Sequence, residues 1–528
     1  MKLTINQILE QAISAHREEK FEEAEGFYRA ILKIDPKNSN ANHNLGSLKV
    51  SINKPQEALQ LFKIAIETHP KIVEFRFSYA TTLLSENQLD EAETSFKKII
   101  KLKPDHAEAY NNLGIIFHKL KRNEEAEKCF KTAIEFKPNY GEAHNNLGVI
   151  FQYHQKFEET VASFKKAISL NIETAKIYYN LAGALHNLNR LEESEVNYKK
   201  AIELKPDYIE AYSNLGNLLK DRGKLEEAEI SLNKAIEIKP DYKLALLNKG
   251  MILFDKGKFE VSLKYFDLCD NFDSRSYSLS CLYNLGRIKD IYKRIKINSE
   301  LDEKNLSVAA FSSFISKKEK KNTAHKFCNN PIDFINISNL SSHLKNSNLF
   351  INEVIEELKT IETIWEDKTT KNGFHSVNRI DIFENPSEKL KNLKSIIADE
   401  IDIYYSKFKN EDCSYIKKWP AQKNLIAWHV ILKKQGYQTK HIHAGGWLSG
   451  VIYLKVTPHL EKNEGAIEFS LNGERYFDKN LPKIIHQPKE GDMVLFPSTL
   501  HHNTIPFTST EDRITIAFDL IPSQKIII

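Results

Sequence analysis

The segment KHIHAGGWLSGVIYLK, Lys440 to Lys455, places two histidines one residue apart, beside a glycine pair and at the mouth of an apolar run. Side chains at i and i+2 of an extended chain point to the same face, so His441 and His443 can converge on one point. Two imidazoles so placed suit a metal ion; the plainer alternative is a pair of surface histidines at a strand edge. Further on, VLFPSTLHHNTIPF presents His501 and His502 just ahead of RITIAFDLI. In that last segment Ile514, Ile516, Phe518 and Leu520 form one apolar face, and Arg513, Thr515, Ala517 and Asp519 form the other. The second face is either solvated or the inner wall of a barrel, where one arginine, one hydroxyl and small residues leave room for an anionic ligand.

The elements that must carry these residues are strands. From about Asn424 the chain turns to alternating, β-branched segments: NLIAWHVILKK, LSGVIYLKVT, GAIEFSL, DMVLFP and RITIAFDLI. Turn signals such as KQG, EKNEG and PKEGD separate them, which predicts an all-β sandwich or barrel with helices packed outside. NEVIEELKTIETIW and SEKLKNLKSIIADEIDIYYSKF read as those amphipathic helices. Upstream, SKKEKKNTAHK (Ser316 to Lys326) reads as a charged, solvated linker, and LYNLGRIKDIYKRIKI as a helical cap.

The first half is periodic. Proline recurs at Pro36, Pro70, Pro104, Pro138, Pro206 and Pro240, in steps of 34 residues with one place taken by Ile172. Small residues keep the same period at Ala24, Ala58, Ala92, Ala126, Thr160, Ser194, Ala228 and Ser262, and again at Gly46, Ala80, Gly114, Gly148, Ala182, Gly216 and Gly250. In HAEAYNNLGIIFHKLKRNEEAEKCFKTAIEFKP two helical stretches flank the polar turn KRN. Small residues let the two helices approach, and proline blocks continuation of the second. One such pair cannot bury its apolar face alone, so pairs stack into a solenoid. A fourth series is Asn44, Ser78, Asn112, Asn146, Asn180, Asn214 and Asn248. Asparagine is a mediocre helix former, so the series needs a cause: either packing between helices, or a ladder of amides able to donate to and accept from the peptide units of an extended chain.

Bulk composition narrows the class. A chain of 528 residues implies two or more domains. Its 75 basic and 71 acidic residues nearly cancel, which argues against nucleic-acid or acidic-membrane partners. No run of about 18 apolar residues predicts a membrane span, and the N-terminal residues lack the apolar stretch of a signal peptide. Cys129, Cys269, Cys281, Cys328 and Cys413 are scattered without CxxC spacing, which fits a reducing cytoplasm.

The 34-residue spacing resembles the tetratricopeptide repeat over about residues 5 to 270. Superhelices of that kind, including those of protein O-glycosyltransferases, use an asparagine ladder to hold peptides. The resemblance therefore implies a protein or peptide partner in a groove lined by Asn44, Asn112, Asn146, Asn180, Asn214 and Asn248. His441-x-His443, SGVIYL, GAIEF, PKEGDMVLFPSTLHH and RITIAF, in that order, resemble the iron- and 2-oxoglutarate-dependent oxygenases, above all those fused to tetratricopeptide repeats. The likeness covers about residues 325 to 528 and implies a double-stranded β-helix (jelly-roll) core. The pattern F-P-S-x-L-x-H-x-x-x-P places the distal metal ligand at His502, with His501 pointing away. It also implies that Arg513 holds the far carboxylate of 2-oxoglutarate, with Thr515 adding a hydroxyl.

One position departs from that family. His443 stands where an aspartate or glutamate ligand is usual, and three arrangements are open. His443 is the third ligand of an all-histidine site, or water replaces it, or a distant carboxylate such as Glu468 or Asp519 substitutes. Strand parity favours His443. The expectation is thus a multidomain chain: an all-α solenoid over 1–270, a helical cap and linker over 271–325, and an α+β oxygenase-like domain over 326–528. It would be a cytoplasmic dioxygenase using Fe(II) and 2-oxoglutarate to hydroxylate a protein side chain, with His441, His443 and His502 on the metal. A non-catalytic scaffold with a ligand-binding barrel is the main alternative. A zinc hydrolase is a third, weakened by the lack of an evident general base.

Overall fold

The computed structural model describes residues 4–361, 363–365, 370–376, 381–458 and 461–522. The chain begins as a solenoid of paired helices, α1 (Ile5–Arg17) to α19 (Leu306–Lys318). In α7 (Ala107–Lys119) and α8 (Asn123–Phe136) the apolar stripe buries Ala109, Leu113, Ile116 and Phe117 against Ala126, Phe130 and Ala133. Each large side chain so buried contributes about 1.5–3 kcal/mol. The repeated glycine has a specific cause. A Cβ on Gly114 would stand 2.7 Å from the Phe130 ring, and Gly46, Gly148 and Gly250 meet Phe62, Phe164 and Phe266 in the same way. The turn between paired helices also repeats, with one residue in the left-handed region at Glu19, Asn53, Asn87, Lys121, Gln155, Asn189, Gly223 and Gly257. Residues 1–228 form one compact unit and residues 229–528 a second.

Among the described residues, three α-helices and ten strands follow: α20 (Ser347–Leu358), α21 (Glu388–Phe408), α22 (Ser414–Lys417), β1 (Asn336–Asn339), β2 (Thr363–Trp365), β3 (Thr370–Ser376), β4 (Asn424–Gln438), β5 (Leu448–Lys455), β6 (Ile467–Ser470), β7 (Lys483–His486), β8 (Asp492–Pro497), β9 (His501–Thr504) and β10 (Arg513–Ile521). They build two antiparallel sheets, β1-β8-β5-β10-β4-β3-β2 and β7-β6-β9. This is the strand-rich α+β region expected after the solenoid. β10 lies between β4 and β5, and its alternation divides the domain. Ile516, Phe518 and Leu520 enter an apolar core with Leu393, Ile397 and Tyr404 of α21. Arg513, Thr515 and Ala517 point the other way, into the space between the sheets. Gly450 on β5 is required there, since any Cβ would collide with the Phe518 ring.

Several local expectations change. Thr363–Trp365 is strand β2 rather than the end of a helix. The charged run 316–326 is not solvated at its ends. Ser316 is buried in α19, and His325 is buried with Nε2 2.9 Å from Asp302 O. Helices α17 (Phe272–Asn284) and α19 share a core with the second sheet, in which Leu282, Phe311 and Phe314 pack with Phe469, Tyr476 and Leu500. The guanidinium of Arg475 stacks 3.7 Å from the Tyr277 ring, and Tyr283 OH donates to Phe477 O at 2.8 Å.

Candidate metal centre

His441 and His443 lie in the β4–β5 connection, not within a strand as the i, i+2 argument assumed. The chain is nonetheless held extended there. His441 forms a one-residue antiparallel bridge with His502 of β9, and His443 N donates to Ser498 O at 3.1 Å. The three rings meet, with centroids 5.2 Å apart for His441–His443, 4.4 Å for His441–His502 and 5.0 Å for His443–His502. Their ligating nitrogens all lie within 4.8 Å of one another.

Each ring is oriented from behind. His441 Nδ1 lies 2.6 Å from Thr439 O, His443 Nδ1 2.6 Å from Asp519 Oδ1, and His502 Nδ1 3.2 Å from Leu500 O. All three partners are acceptors, so each Nδ1 carries the proton and each Nε2 presents a lone pair. The Nε2 atoms of His441 and His443 are 3.2 Å apart, an approach that a cation between the lone pairs relieves. Burial, with the neighbouring imidazoles adding to it, pushes the pKa of His502 well below its ordinary value, so its ring is a neutral donor across the physiological range. This donor set fits a metal ion. His501 turns away, its ring edge-on to Tyr476 at 5.7 Å, and burial lowers its pKa to about 3.

The same pocket is lined by Trp428, Gln438, Tyr453, Phe496, Arg513 and Thr515, among others. Arg513 is only 3 % exposed, and none of the described residues makes an ion pair with it. Its Nη1 donates to Thr504 Oγ1 at 3.3 Å, its Cζ lies 4.9 Å from the centre of the Tyr453 ring, and its Nε has no partner. Burial lowers its pKa, yet a guanidinium stays charged. A buried cation without a counter-ion fits a small carboxylate. Thr504 and Tyr453 were not singled out from the sequence. The period of two would have found Thr504, which is two residues beyond His502 on β9, whereas no site residue read from the sequence lies on β5 to lead to Tyr453. Neither alternative carboxylate joins the cluster. Glu468 is engaged by Lys440 at 3.3 Å and Lys483 at 3.1 Å, while Asp519 sits behind His443.

The asparagines do not behave alike. Asn44, Asn112, Asn146, Asn180 and Asn214 are half-buried, but Asn248, expected on the groove, is buried at 5 % exposure. Burial within its own unit removes it from any open surface. Asn146 Nδ2 donates to Asn111 Oδ1 at 3.0 Å, and Asn214 Nδ2 to Tyr179 OH at 2.9 Å, so two of the series tie neighbouring repeats. Asn214 also lines a depression with Gln152, Tyr179, His186, Asn187 and Asn217, none of which carries a fixed charge.

A helical repeat array thus precedes a two-sheet domain in which partly buried His441 and His443 converge on buried His502. Residues 426–519 match the family described as "Putative 2OG-Fe(II) oxygenase". Residues 4–211 match "Cilia and flagella-associated protein 70 C-terminal domain", and residues 209–242 match "Tetratricopeptide repeat". The chain thus carries tetratricopeptide repeats and a domain of that oxygenase family. Similar solved structures include YrrB, a TPR protein with an unusual peptide-binding site (25 % identity, 35 % of this chain and 95 % of that one, TM-score 0.33). They also include MamA (21 %, 32 % and 96 %, TM-score 0.30) and a tetratricopeptide repeat protein from Parabacteroides merdae (17 %, 47 % and 98 %, TM-score 0.36). No curated protein matches the chain. Among the described residues, no helix is long and apolar enough to cross a membrane.

Proposed function

We propose that the protein is an iron(II)- and 2-oxoglutarate-dependent dioxygenase that hydroxylates a side chain of a protein or peptide held by its repeats. The observation that carries this reading is one pocket lined both by three converging imidazoles and by a buried guanidinium that has no counter-ion among the described residues. Iron(II) bound there would let dioxygen act as the oxidant, one oxygen atom entering the succinate formed from 2-oxoglutarate with loss of carbon dioxide and the other entering a substrate C–H bond as hydroxyl.

The chain's own residues supply binding, orientation and exclusion of water. His441, His443 and His502 would hold the ion through Nε2, each ring fixed by the acceptor behind its Nδ1. Arg513 would take the far carboxylate of the oxoacid, with Thr504 and Thr515 offering hydroxyls beside it. Val451, Ile467, Phe496 and Ala517 make part of the wall apolar, which strengthens the electrostatic contacts inside. No protein nucleophile or general base is required. Asn112 and Asn180, half-buried on the solenoid, would offer amides to a peptide backbone. The five free cysteines support a cytoplasmic location.

A triad without a carboxylate favours one other reading, a scaffold whose barrel binds a ligand without turnover. Protein purified without oxygen decides between them. Near-stoichiometric iron together with succinate formed from 2-oxoglutarate is expected. Iron-free protein that neither binds nor consumes the oxoacid leaves the scaffold.

A further inference from the structure

The side chain immediately behind His443 is a carboxylate. Asp519 Oδ1 lies 2.6 Å from His443 Nδ1 and accepts a second hydrogen bond, also at 2.6 Å, from Ser449 Oγ. Asp519 stands on β10 opposite Ser449 and is 6 % exposed. Ser449 Oγ in turn meets Ser498 Oγ at 2.8 Å. A Cβ on Gly446 would come within 3.0 Å of Asp519 Cγ, so the loop after His443 closes directly over the carboxylate.

The charges of the site give this contact its meaning. Among the described residues, none lining the pocket is acidic, although the pocket holds one guanidinium and three imidazoles. A divalent cation would add two positive charges to a buried site without an anionic ligand, and low dielectric magnifies that penalty. Glu468 cannot offset it, because two lysines already share its oxygens. Asp519 is a buried carboxylate bonded directly to one of the three rings. A carboxylate that accepts the Nδ1 proton fixes the tautomer and raises the basicity of the opposite nitrogen. Charge-assisted bonds of this kind are about twice as strong as neutral ones.

We propose that Asp519 supplies, through His443, the negative charge that an aspartate or glutamate ligand would supply directly, so that His443 and Asp519 act as one ligand unit. Asp519 is a positioning residue in this scheme, since it acts on the metal through the imidazole. The inference rests on the reading of the three histidines as a metal centre.

Anaerobic titration of the metal-free full-length protein with cobalt(II), and then iron(II), tests it without reference to turnover. Asp519→Asn keeps the size and one acceptor oxygen but removes the charge. Its cobalt affinity should fall about 10- to 100-fold, with the unfolding midpoint of the metal-free protein unchanged or raised. His443→Asp/Asp519→Asn moves the carboxylate into contact with the metal and should restore affinity to within a few fold of wild type. That double variant also carries the test if Asp519→Asn alone does not fold. An Asp519→Asn affinity within threefold of wild type, or a double variant that binds no better than Asp519→Asn, overturns the role of Asp519 and leaves the metal centre standing. Wild-type protein that binds neither metal overturns the centre itself, and this inference with it.

Discussion

His441 and His502 are joined by a reciprocal pair of backbone hydrogen bonds, His441 N to His502 O at 3.1 Å and His502 N to His441 O at 3.0 Å. Two ligand candidates far apart in sequence are therefore fixed to each other by the ladder, not by their side chains. The bridge sets both rings on one side of the strand pair, and His443, two residues on, follows by parity. A site assembled in this way is organised before any ligand arrives, which is what precise binding geometry demands.

The first prediction tests which histidine of the pair His501–His502 belongs to the site. His502→Ala should abolish iron binding, measured as metal content after anaerobic reconstitution. His501→Ala should retain metal near the wild-type level while losing stability, because its ring fills space against Tyr476. Loss of metal only in His501→Ala would shift the ligand by one residue.

Much of this arrangement was legible in the sequence, and the exceptions have physical causes. The repeat could be read because proline and small residues recur every 34 residues, and the small residue has a physical cause where Gly46, Gly114, Gly148 and Gly250 meet Phe62, Phe130, Phe164 and Phe266. The left-handed turn residue repeats just as strictly, yet six of its eight positions are not glycine, so composition gives no cue. Strand β7 was missed because Lys483, Ile484 and Ile485 are all exposed and do not alternate. Strand β9 was missed because its four residues, His501–Thr504, read as a turn full of polar groups. Asp519 could be placed on the inner face of β10 by parity. Its partnership with His443 could not, because it depends on how the β4–β5 connection folds back over that strand.

Arg513→Lys keeps a positive charge but loses the planar fork. Affinity for 2-oxoglutarate should fall tenfold or more, about 1.4 kcal/mol, with metal content retained. Calorimetric titration of the oxoacid into metal-loaded protein under nitrogen measures it. Unchanged affinity would remove Arg513 from the oxoacid site.

Stability of the metal-free protein should depend on pH through His501. Burial holds its folded-state pKa at about 3, against 6.5 in the unfolded chain. The unfolded state therefore binds the extra proton as pH falls below 6.5, and stability drops with it until about pH 3. Between pH 7.5 and 5.0 this one residue accounts for about 2 kcal/mol of the loss. Denaturant titrations of wild type and His501→Gln at the two pH values should differ in slope by about that amount. Equal slopes would mean that the ring is hydrated and titrates normally.

The last prediction separates the two roles that the asparagine series combines. Asn146 and Asn214 hydrogen-bond to the preceding repeat, through Asn111 and Tyr179. Asn146→Ala/Asn214→Ala should therefore lower the unfolding free energy by about 0.5–1.5 kcal/mol per bond, less the small gain in helix propensity that alanine brings. Among the described residues, no hydrogen bond is found for the Asn112 or Asn180 side chains. Asn112→Ala/Asn180→Ala should leave thermal stability unchanged or slightly raised, because only propensity changes. If those two amides hold a peptide backbone, the same variant should raise the Michaelis constant for a protein substrate by about fivefold to more than a hundredfold, at roughly 0.5–1.5 kcal/mol for each lost contact. Uncoupled decarboxylation of 2-oxoglutarate, which needs only the barrel, should continue at the wild-type rate. A destabilised Asn112→Ala/Asn180→Ala protein would make the whole series a packing device. A stable one with an unaltered Michaelis constant would move peptide binding off these two helices.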